Sequence, residues 1–184
     1  AKAIGELGGR SVMRARSVAD ALDAAWIQKE IERVENAVDR DPALAIGTAK
    51  ELVESCCKSV LTKRGIAFSP SADLPTLTKL VAKDLGLVPE DVHEAAKGAE
   101  TIRLILRNLA ALTQYLAELR SLYGSGHGRE GQHKGLQPRH ARLAVGAAVA
   151  FIDFVTETYR ERQLKVEAKP SVEATQPTAT SRHA

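Results

Sequence analysis

The chain has 184 residues, of which 44% are hydrophobic, 27% charged and only 4% aromatic, with a formal net charge of +3. That length fits one ordinary domain whose core must come from Leu, Ile, Val and Ala, and so small a charge does not by itself announce a nucleic-acid binder. No apolar run approaches the roughly 20 residues of a membrane-spanning helix, which excludes a membrane-spanning partner role.

The first ten residues, AKAIGELGGR, hold no apolar stretch of the kind a secretory leader needs. A cytoplasmic protein is expected. The chain opens on Ala, as a domain cut from a longer parent would. Residues 1–16 show weak periodicity and read as a frayed lead-in to a domain spanning 17–168.

Ser17 is an N-cap candidate, and Leu22, Trp26, Ile27, Ile31, Val34 and Val38 then recur at helical spacing to about Asp39. Asp41-Pro42 restarts the chain, with Asp as N-cap and Pro at the first helical position. The helix it opens runs to about Arg64 and stops at Gly65. Its inner face is expected to be Ala45, Ala49, Leu52, Val53, Cys56, Val60 and Leu61. Cys56 and Cys57 are neighbours, and adjacent helical positions point apart, so they read as reduced core thiols.

Residues 65–73 form a loop, and a short helix follows from Leu74 to Leu85, ended by Gly86. Pro89-Glu90-Asp91 is expected to open the longest helix, reaching about Leu122. Its stripe of Ile102, Ile105, Leu109, Leu112, Leu116, Leu119 and Tyr123 alternates steps of three and four, the pattern of a bundle seam. The glycine-rich segment GSGHGREGQHKGLQ comes next, and Pro138 starts a last helix rich in small residues. Residues 169–184 are polar and aperiodic and read as a disordered tail. The expected fold is an all-α bundle of four long helices and one short one.

Chemistry concentrates after Arg120. Residues 121–142 hold Arg129, Lys134, Arg139 and Arg142 against the single acid Glu130, a net +3 equal to that of the whole chain. Three of the five histidines, His127, His133 and His140, are there too. Glycines at 124, 126, 128, 131 and 135 let backbone approach a ligand closely, with Gly126 and Gly128 flanking His127. The helix opened by Pro138 turns its free N–H groups toward the same region, which favours an anion. Phosphate binding by Gly126, Gly128, Arg129, Arg139, His140 and Arg142 is one reading; a solvated basic loop without partner is the other.

Arg120 and His127 are separated by SLYGSG. Imidazole titrates near neutrality and can move a proton at a ribose 2′-OH or a leaving oxygen, while a guanidinium clamps the phosphate oxygens. The spacing alone arises by chance about once in such a chain; its place at a helix end among glycines adds the weight. Tyr123 continues the apolar stripe, and Arg107-Asn108 is followed by no histidine at the required distance.

The blocks ELRSLYGSGHGR and PRHARLAVGAAVAFIDFVTETY, with the earlier DPALAIGTAKELVESCCKSVLTKRGI and a DLPTLTKLV segment between, resemble the abortive-infection C-terminal (Abi-C) domain. This family of bacterial phage-defence proteins is similar to the HEPN superfamily of helical bundles, and the resemblance covers about residues 41–160. It implies a metal-independent endoribonuclease without cofactor. Arg120 and His127 would be catalytic, with Ser121 in a polar slot where Asn, Asp or His is commoner. It also implies a homodimer with a composite site, RNA as substrate, a 2′,3′-cyclic phosphate product, and an antitoxin or further domains as partners. The alternative is a non-catalytic RNA-binding, phosphate-binding or dimerisation module of a larger defence protein. A nucleotide-sensing loop is weaker, because no G-K-[ST] sequence ends the glycine run.

Overall fold

A computed structural model describes residues 25–123 and 135–167. The lead-in at 1–16, the N-cap candidate Ser17 and the tail at 169–184 lie outside them. The described residues form five α-helices and contain no strand: α1 (Ala25–Ala37), α2 (Pro42–Lys63), α3 (Leu74–Asp84), α4 (Ala99–Tyr123) and α5 (Pro138–Glu167). A single 3-10 turn, Pro89–Asp91, stands between α3 and α4.

Helix α2 is the axis of the bundle, packed against α1, α3, α4 and α5. Its central place explains its composition. Besides the expected inner face, Ile46, Thr48 and Cys57 are buried, because a helix surrounded by neighbours hides more than one stripe. Asp41 caps its start by accepting a hydrogen bond from the Leu44 N–H at 3.0 Å, with Pro42 at the first helical position. Gly65 ends it at φ 68°, and the Ile66 N–H reaches back to the Leu61 carbonyl at 2.9 Å.

Helix α3 repeats the device. Asp73 accepts from the Thr76 N–H at 2.9 Å, and Gly86 terminates it at φ 56°. There Leu87 N–H bonds the Ala82 carbonyl at 2.7 Å. The ends of α2 and α3 are tied by the Arg64 guanidinium on Asp84, at 2.8 and 3.2 Å. Arg162 of α5 donates to the Asp84 carbonyl at 3.2 Å, so three helices lock at one corner.

Two expectations are corrected. The long helix does not start at Pro89: after the 3-10 turn the chain passes through turns to Gly98, at φ 79°, and only then enters α4. Residues 93–98, HEAAKG, supply no large apolar side chain to bury, so nothing there rewards a helical register. Arg103 instead reaches back to the Pro89 and Val92 carbonyls at 3.3 and 3.0 Å.

The regular stripe of α4 is also not a full seam. Leu116 is buried and Leu109 and Leu119 pack partly against the core, but Ile102, Ile105 and Leu112 are 40%, 61% and 42% exposed. α4 sits at the bundle's edge, where it meets chiefly α2 and α3. Its inward face carries the buried Thr113, whose hydroxyl lies 3.4 Å from that of Thr78 on α3.

Candidate anion site

Arg120 stands in the last turn of α4, where a cation is favoured by the negative end of the helix dipole. Its side chain is half-buried and makes no hydrogen bond or ion pair among the described residues. It lines a polar hollow of about 200 Å³ with Arg33 of α1 and with Leu44, Gly47, Thr48 and Glu51 of α2. The first two turns of α2, the positive end of that helix, form the floor. Two guanidiniums and a helix start thus face one space, opposed by the single carboxylate of Glu51.

The competing contacts are weak. Arg33 touches Glu30 at 3.4 Å through side chains that both see solvent. A wider hollow on the other side of Arg120 is bordered by Lys50, Gln114, Glu118 and Ser121. Lys50 is already paired with Glu54, so its charge is largely spent. Ser121 is exposed, and its hydroxyl donates to the Ala117 carbonyl at 3.0 Å, four residues back in the helix. That proton is therefore committed to the helix backbone.

The first turn of α5 lies at the same end of the bundle. Arg142 forms an ion pair with Asp39, in the turn after α1, and both side chains are exposed. The Gln137 N–H donates to His140 Nδ1 at 3.1 Å, which makes His140 a cap for the start of α5. Arg139 Nε lies 3.4 Å from His140 Nε2. A neutral imidazole carries its proton on one nitrogen. Its single acceptor nitrogen therefore serves one of these two contacts at a time. Arg139 is exposed and open to solvent.

His127, Gly126, Gly128 and Arg129 lie outside the described residues, as does His133. The structure therefore brings Arg120 and Ser121 together and sets Arg139, His140 and Arg142 on the neighbouring helix start. Arg33 is the residue that sequence reasoning missed. It is one of many cations on an amphipathic helix, and only its place in the same hollow as Arg120 singles it out. Among the described residues, no three His, Cys, Asp or Glu side chains come together as a metal site would require.

The model of the Abi_C family, described as a HEPN-like domain, matches residues 25–159. The chain belongs to this family. The match reaches from the start of α1 to near the end of α5, so the Abi_C domain includes α1, which the sequence resemblance at 41–160 left out. Arg33, Arg120 and the first turn of α5 all fall inside it. No curated protein and no solved structure matches the chain. No helix among the described residues of this Abi_C domain is long and apolar enough to cross a membrane.

Proposed function

We propose that this Abi_C domain is a metal-independent endoribonuclease of phage defence, in which Arg120 grips the scissile phosphate and His127 moves the proton. The observation that carries the reading is the half-buried Arg120, unpaired among the described residues and lining a polar hollow with Arg33. A buried cation usually has its counter-ion inside the fold. One that faces a hollow without a partner is available for an external anion.

In the proposed reaction, His127 takes the proton of a ribose 2′-OH. The 2′ oxygen attacks the adjacent phosphorus, the P–O5′ bond breaks, and the leaving oxygen is protonated. The products are a 2′,3′-cyclic phosphate and a 5′-hydroxyl. Arg120 neutralises charge building on the non-bridging oxygens, the role for which a fixed guanidinium is suited. Ser121, with its proton held by the Ala117 carbonyl, has the part of a positioning residue beside Arg120 rather than of a proton donor.

Two copies form the working unit. Supporting this is the outer face of α4, where Ile105, Leu112, Tyr115 and Leu122 are exposed on the helix that carries Arg120 in its last turn. An isologous pairing through this face removes its apolar side chains from water in both copies. The test is incubation of the domain with single-stranded RNA in EDTA, with His127→Ala as comparison. Cleavage to cyclic-phosphate ends that is lost in the variant supports the enzyme. RNA binding without cleavage by either protein supports the alternative, a non-catalytic module. A solution mass of one protomer contradicts the paired site.

A further inference from the structure

We propose that the cavity where α3, α4 and α5 meet binds a small amphiphile: a hydrocarbon body carrying one carboxylate head. The cavity holds about 450 Å³, within the range of roughly 300–1,000 Å³ typical of small-molecule sites. Its depth is apolar, built from Leu106 and Leu109 of α4, Phe151, Phe154 and Val155 of α5, and Leu87. Two of the chain's three phenylalanines are used here. In a protein so poor in aromatics, two rings lining a solvent-facing space form a surface that an apolar guest removes from water.

The mouth has the opposite character. Lys79 of α3 and Arg107 of α4 line it, and no acidic residue does. Lys79 is exposed and forms no ion pair among the described residues. Arg107 holds only a loose contact with Glu100 at 3.5 Å, and both side chains are more than half exposed. That exposed contact is weak, so an incoming carboxylate can take Arg107 and Lys79 as its counter-charges. Charge at the rim and hydrocarbon in the depth together define the guest as an anionic amphiphile.

The wall is preformed rather than slack. Leu87, Val88 and Pro89 are pinned from both ends, by the Leu87 N–H on the Ala82 carbonyl at 2.7 Å and by the two Arg103 bonds to Pro89 and Val92. The helix that should have started at Pro89 is broken at this point, and the break leaves room for the cavity beside α4. This site stands apart from the phosphate reading, since neither Arg120 nor Arg33 lines it.

The test is calorimetric titration of the full chain with sodium decanoate below its micelle concentration. One decanoate should bind per chain with saturation. Lys79→Glu, a surface change that leaves the core intact, should weaken binding about tenfold or more, and uncharged decanol should bind more weakly than decanoate. Ala82→Phe, which fills the cavity, should abolish the heat; circular dichroism checks that the variant is folded. Absence of saturable binding overturns the proposal. So does equal affinity of Lys79→Glu and the parent, or binding that survives a folded Ala82→Phe.

Discussion

Arg33 of α1 and Arg120 of α4, 87 positions apart in sequence, line the same polar hollow over the first turns of α2. Two guanidiniums share that space with the single carboxylate of Glu51, which leaves a net positive charge for an external anion. If RNA phosphate is that anion, Arg33→Ala weakens single-stranded RNA binding and lowers the slope of log affinity against log salt by about 0.7, the value of one lost phosphate contact. Filter binding across a salt series measures it. An unchanged slope removes Arg33 from the site.

Arg142 gives the opposite expectation. Its charge is taken by Asp39, and the pair is exposed. Arg142→Ala should cost about 0–1 kcal/mol of stability and leave RNA affinity within twofold of the parent. A loss as large as that of Arg120→Ala would show that the Asp39 pairing yields to RNA.

Much of the fold was legible in the sequence because its punctuation is local chemistry. Asp41-Pro42, Gly65, Asp73 and Gly86 each work through neighbours three to five residues away, and the helices begin and end beside them. The start of α4 was not legible in this way. Pro89-Glu90-Asp91 is a good helix opening, but Arg103 captures the carbonyls of Pro89 and Val92 from a later turn, a long-range contact that no local pattern encodes. The stripe of α4 misled for a related reason: periodicity reports that a face is apolar, and says nothing of what covers it. Arg120 was found because a helix end next to glycines is readable. Arg33 was not, because its importance comes only from the folded chain, where it lines the same hollow as Arg120.

Cys56 and Cys57 lie at the centre of α2, both buried. Burial pushes the Cys56 thiol up to about 12. Cys57 is pushed well above its ordinary value by burial first, then by the charges of Cys56 and Glu54. The thiolate is the reactive form, so neither thiol should react with a disulfide reagent in the native protein near pH 8. Both should react in denaturant. Rapid labelling of the native chain would contradict the packing of α2.

Glu54 lies between Lys50 and Lys58, with its oxygen 2.7 Å from the Lys58 ammonium and a second contact to Lys50. Burial raises its carboxyl, but the hydrogen bonds and charges of the two lysines outweigh that and hold it below the ordinary value. A carboxyl depressed in the folded state binds its proton more readily when unfolded. Its contribution is therefore complete above the unfolded value and fades as pH falls through the folded one. Glu54→Gln should lose about 1 kcal/mol at neutral pH, two helical ion pairs' worth, and less at about pH 3. Urea unfolding of both proteins at the two pH values checks it; a constant difference contradicts the pairing.

The most direct measurement is single-turnover cleavage of single-stranded RNA in EDTA by the parent and by Arg120→Ala, with the fold of each verified by circular dichroism. Removing one pre-aimed donor to the transition state costs about 100- to 1,000-fold in rate, and that is the loss expected here, with His127→Ala at least as severe. Cleavage by a folded Arg120→Ala at the parent's rate would contradict the assignment of Arg120 to the scissile phosphate.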